Sequence, residues 1–123
     1  MLADRDVTAF LATADAGSAR RFYEGVLGLR LIEDTPFALV FAAGGTTLRI
    51  QKLAALTPAP HTVLGWSVPD IAAAVRALAE RGVRFERFEG MRQDGLGIWL
   101  SPSGARVAWF KDPDGNLLSL TEP

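Results

Sequence analysis

Residues 15–28 read DAGSARRFYEGVLG, and this stretch decides the fold. Asp15 can cap a helix through its carboxylate. Ala19, Phe22, Tyr23, Val26 and Leu27 then fall at i, i+3, i+4, i+7 and i+8, one apolar stripe, while Arg20, Arg21 and Glu24 face water. Gly28 offers a left-handed stop. Before this helix, residues 7–13 (VTAFLAT) are β-branched and apolar and predict a strand. After it come three strand-like pieces, at 29–33, 37–43 and 46–52, broken by Asp34-Thr35-Pro36 and by Gly44-Gly45. The glycine pair suits a two-residue hairpin whose central residues both need positive φ. The first half therefore reads βαβββ.

The order then begins again. Thr57-Pro58-Ala59-Pro60 cannot easily continue a ladder and reads as an extended connector. A strand is predicted at 62–68, followed by a second capping aspartate, Asp70, and the same stripe in Ile71, Ala74, Val75, Leu78 and Ala79 up to Gly82. Further strands are predicted at 83–88, 105–111 and 116–121, the last two joined by the turn Asp112-Pro113-Asp114-Gly115. The second half is again βαβββ, with a long glycine-rich loop over 89–104 that holds one short strand near 97–100. Long loops inside small domains are often functional. The expected organisation is one domain over 1–123, with module 1 at about 5–55, a connector at 56–61 and module 2 at about 62–123.

Composition removes several classes of function. The 123 residues contain no cysteine, which excludes disulfides, thiolate zinc sites, thiol catalysis and Cys-bound clusters. The formal charge is −1 with Lys and Arg scattered, so no basic footprint for nucleic acid is present. The longest apolar run, residues 37–43, is far short of the ~20 residues of a membrane span. Asp4, Arg5 and Asp6 do not suit a secretory signal. A cytoplasmic protein is expected.

Two tandem βαβββ halves resemble the vicinal oxygen chelate superfamily of glyoxalase I, extradiol dioxygenases, fosfomycin-resistance enzymes and bleomycin-resistance proteins. Asp15-(x6)-Phe22-Tyr23-(x3)-Leu27-Gly28 is similar to that family's first-helix signature, and Phe110-Lys111-Asp112-Pro113-Asp114-Gly115-Asn116 to its final hairpin. The resemblance implies an α+β fold in which the curved sheets of the two modules form a cleft with the helices outside. It also implies homodimers. Catalytic members hold a divalent ion in the cleft that chelates two adjacent substrate oxygens. On this chain the implied ligand positions fall on Thr8, Arg49 (with Gln51 beside it on the same face), Val63 and Ser119. Thr, Arg, Val and Ser are not a donor set for such an ion, and Arg49 repels it. No metal and no other cofactor is expected.

His61, the only histidine, precedes Val63 by two residues and would share its face on a strand; it reads as an ordinary exposed histidine, with a shifted metal ligand or a lone base as the alternative. Asp112 and Asp114 read as turn residues that bond their own backbone. Of three tryptophans, Trp66 reads as core, Trp109 has no assignable face, and Trp99 ends a segment that could fold over the cleft. Phe10 shares the face of Thr8, and Arg49 that of Thr47 and Gln51. The expected ligand-binding set is Thr8, Phe10, Arg49, Gln51, Trp99 and Ser119; catalytic residues are not identifiable. The function that follows is capture of a small organic molecule without metal. The alternatives are an enzyme of the same superfamily, either a metal-dependent lyase or dioxygenase with shifted ligands or a metal-independent lyase or isomerase, and a structural dimer module.

Overall fold

The computed structural model describes residues 1–123 and divides them into two compact units, Met1–Thr57 and Pro58–Pro123. The boundary falls at the first proline of the predicted connector.

In the first unit the chain runs β1 (Thr8–Thr13), α1 (Ala16–Arg20), a π-helical continuation (Arg21–Val26), β2 (Arg30–Asp34), β3 (Ala38–Ala43) and β4 (Thr46–Lys52). The four strands form one sheet in the order β1-β4-β3-β2, with β1 parallel to β4 and the other pairs antiparallel. Asp15 caps the helix as expected: its Oδ1 accepts from the Ser18 backbone N–H at 3.1 Å, and its Oδ2 from the Ser18 hydroxyl at 2.8 Å. The bonds from Ser18 hold the Asp15 carboxyl below its usual value. The helix does not keep one pitch, because the Leu27 N–H reaches back to Phe22 O, an i→i+5 bond. The widened turn spreads the apolar stripe. Ala19 and Tyr23 are fully buried, with the Tyr23 ring against that of Phe41, whereas Phe22, Val26 and Leu27 are only half-buried. Leu11, Leu39, Phe41, Leu48 and Ile50 complete the core on the helix side of the sheet. At the β3–β4 hairpin only Gly44 takes a positive φ (+58°), so the expectation that both glycines need it is corrected.

The second unit runs β5 (Thr62–Ser67), α2 (Ile71–Glu80), β6 (Trp99–Leu100), β7 (Arg106–Lys111) and β8 (Leu117–Glu122), in the sheet order β5-β8-β7-β6. Asp70 caps α2 through the Ala73 N–H, and the Ile71 N–H donates to the Glu122 carboxylate, tying the helix to β8. Ile71 and Val75 are buried beneath the helix, over Ala108, Phe110, Leu118 and Leu120. Trp66 stacks on Phe110 on this same side, half-buried at the margin of the core in which it was expected. Each unit thus repeats β, α and three strands, the α+β class read from the sequence.

One predicted strand is absent. Residues 83–88 make a single bridge, Phe85 to Phe110, and the strand next to β7 is the short β6 from the glycine-rich segment. The reason is Gln93. Its amide donates to Glu86 O and to Gly97 O, and its carbonyl accepts the Phe88 N–H, so one side chain takes the backbone groups that a neighbouring strand would have used.

Candidate functional site

Alternation along the strands leaves one face of each sheet free of its helix. On the first sheet that face carries Thr8, Phe10 and Ala12 from β1 beside Thr47, Arg49 and Gln51 from β4, paired in register. Four of the expected binding residues, Thr8, Phe10, Arg49 and Gln51, are therefore brought together. Phe10 lies directly opposite Arg49 and is 56% exposed, a large aromatic surface with no packing role inside the unit. The rung continues through Val40 to Glu33. Arg49 is half-buried and makes no ion pair, so the guanidinium is not consumed by a structural partner.

On the second sheet Ser119 sits between Gly65 on β5 and Trp109 on β7. A Cβ on Gly65 would come 2.6 Å from Ser119 Oγ, so the hydroxyl fills the space over the glycine and Ser119 is only 8% exposed. Trp109 is followed along the open face by Trp99, which pairs with Val107 on the next rung. The two indoles lie 6.0 Å apart, and Phe88 meets Trp109 edge-on at 5.3 Å. These three rings make a continuous aromatic wall.

At Phe88 the wall meets an open cavity of about 320 Å³, lined besides by Pro58, Pro60, Lys111, Gly115 and Leu117. Lys111 pairs with Leu117 across β7 and β8, on the same face as Trp109 and Ser119. Its ammonium lies 3.6 Å from Glu86, a loose ion pair whose lysine is half-exposed. Pro58 closes the cavity against the final turn, where a Cβ on Gly115 would come 3.2 Å from the proline ring; Gly115 also takes φ +89°. That turn is rigid. Asp112 Oδ1 accepts from the Asp114 and Asn116 backbone N–H groups and Oδ2 from the Asn116 side chain, as turn residues should.

A model of the Glyoxalase/Bleomycin resistance protein/Dioxygenase superfamily matches residues 6–120. The chain belongs to this superfamily. No curated protein matches closely enough to count as a relative. Among solved structures, the chain is similar to TnmS3, an antibiotic binding protein from a Streptomyces species, at 25% identity and a TM-score of 0.73, covering 100% of this chain and 98% of that one. It is also similar to a superfamily member from Sphaerobacter thermophilus, at 24% identity and a TM-score of 0.76 over the whole of both chains. A bleomycin-binding protein solved with bleomycin matches at 24% identity and a TM-score of 0.74, covering 96% and 98% of the two chains.

Thr8, Arg49, Val63 and Ser119 are the residues at which the resemblance implies the metal ligands of catalytic superfamily members. None offers imidazole or carboxylate, so the donor set does not fit a catalytic divalent ion. No three His, Asp or Glu side chains gather in either unit. His61 is exposed, with Nδ1 3.2 Å from Thr62 O. Phe88 and Lys111 were missed by sequence reasoning. Phe88 was absorbed into a predicted strand, and Lys111 would have been found by following the alternation from Trp109 once that residue's pairing with Ser119 fixed its face.

Proposed function

We propose that this superfamily member is a binding protein that captures a flat, unsaturated organic molecule without metal. The observation that carries the proposal is the wall of Phe88, Trp109 and Trp99 beside a cavity that ends at Lys111. Stacking on indole and phenyl faces supplies non-directional affinity, and the cation fixes orientation. Ser119 sits at the foot of the wall. The open face of the first sheet offers the same chemistry in Phe10 and Arg49, flanked by Thr8 and Gln51. Both faces pair an aromatic with a cation, which favours a neutral or anionic ligand over a cationic drug. That TnmS3 is an antibiotic binding protein supports capture over turnover.

The test is a screen of aromatic carboxylates, quinones and polyketide-like antibiotics read by quenching of indole fluorescence. A hit should bind the wild-type chain, weaken about tenfold or more in Trp109→Leu, and survive His61→Ala unchanged. A ligand that is consumed, with turnover abolished by His61→Ala, would return the protein to the enzymes.

The chain is further proposed to act as a cytoplasmic homodimer. Phe37 and Ile32, at the β2–β3 edge of the first sheet, are 75% and 49% exposed, apolar surface of the kind that a subunit contact covers. Light scattering of the purified chain reads this directly, with twice the chain mass as the expected result.

A further inference from the structure

The second sheet has another concavity on its opposite side. Leu100 pairs with Arg106, and Arg106 with Glu122, whose carboxylate receives the α2 N-terminal N–H; this rung therefore faces the helix side, away from Trp99 and Trp109. Here Arg92, Asp94, Ile98, Leu100 and Arg106 line an open cavity of about 280 Å³.

Neither Arg92 nor Arg106 makes an ion pair or a side-chain hydrogen bond within the molecule. The one acid in the cavity does not neutralise them by contact. Asp94 Oδ1 instead accepts the backbone N–H groups of Leu96 and Ile98, both at 2.9 Å. The wall is also held in place before any ligand arrives. Arg87 donates to Asp94 O at 2.8 Å, and Gln93 clamps the same loop to Glu86 and Phe88. Two free guanidinium forks, Arg92 on the braced loop and Arg106 at the start of β7, above an apolar floor of Ile98 and Leu100, are suited to an oxyanion that carries an apolar body.

We propose that this cavity is a second binding site, for a small organic acid whose carboxylate or phosphate is held by Arg92 and Arg106 and whose apolar part rests on Leu100. The site is independent of the aromatic wall. It is tested by titrating isotope-labelled protein with phenyl phosphate at low ionic strength, with inorganic phosphate and benzoate in parallel, while following the arginine side-chain N–H signals.

Saturable shifts at Arg92 and Arg106 are expected. Arg92→Gln and Arg106→Gln should each weaken phenyl phosphate roughly tenfold, while Arg76→Gln, which removes an exposed charge on α2, should leave it unchanged. Leu100→Ser should weaken phenyl phosphate and benzoate but not inorganic phosphate. Both arginines are exposed, and an unchanged amide spectrum shows that each variant is folded. Shifts that stay linear with concentration, or an equal loss in all three arginine variants, would overturn the site as general charge attraction.

Discussion

Gly65 occupies a place where a β-carbon has no room, because Ser119 Oγ already lies 2.6 Å from the position it would take. The two residues share one volume across β5 and β8. Gly65 itself is exposed, so Gly65→Ala should destabilise the fold by about 1 kcal/mol, the low end of the cost of overfilling, as the Ser119 hydroxyl is displaced. Removing the hydroxyl as well, in Gly65→Ala with Ser119→Ala, should recover most of that loss in denaturant unfolding. Equal cost in single and double variants would mean the strain lies in the backbone instead. The family resemblance implies Ser119 as a cleft position, and its near-complete burial goes with a missing side chain one strand away, which no local pattern announces.

Among the elements, the first helix is tied to the sheet edge by charge. Lys52 Nζ lies 2.6 Å from one oxygen of Asp34, and Arg20 Nη1 lies 3.3 Å from the other while its Nε meets Glu24. The bond from Lys52, helped by the charges of Lys52 and Arg20, holds the Asp34 carboxyl below the usual aspartate range. A depressed carboxylate adds stability that is fully present above its unfolded pKa and is lost as pH falls through the folded one. Wild type should accordingly melt above Asp34→Asn at neutral pH, and the gap should close in the window below about pH 4. Thermal melts from neutral pH down to about pH 2 check this; a gap independent of pH would assign the difference to something other than ionisation.

Most elements were legible because their periods are local: β1, the two capped helices, and β7 and β8 around Asp112-Pro113-Asp114-Gly115 fall within a residue or two of their expected places. The segment at 83–88 was not legible, since Val83, Phe85 and Phe88 look like a strand and Gln93, which displaces the ladder, lies outside the window that any periodicity scans. The π-helical turn was hidden for a similar reason. The apolar stripe of Ala19 to Leu27 fits a regular helix equally well.

At the scale of the whole chain, what the superfamily commonly keeps and what this sequence has replaced can be separated. The architecture is retained in both units, while Thr8, Arg49, Val63 and Ser119, the residues the resemblance implies as ligand positions, include no imidazole or carboxylate. Nickel, zinc or manganese added to chelator-treated protein should leave the melting temperature where it was. A bound ion at a hundred times its dissociation constant would contribute about 2.7 kcal/mol, a shift of several degrees for a chain of this size. A metal-dependent rise would restore the superfamily's enzymatic chemistry to consideration.

The parallel pairing of β1 with β4, and of β5 with β8, has a consequence for where the ends of each unit lie. A chain that enters beside Thr47 at the Thr8 end of the sheet leaves at Lys52, next to Thr13 at the other end. The exit points onward and not back toward the start. The two ends of such a unit therefore lie at opposite edges of its sheet's length, so a tether need not run back along the strands before the chain goes on.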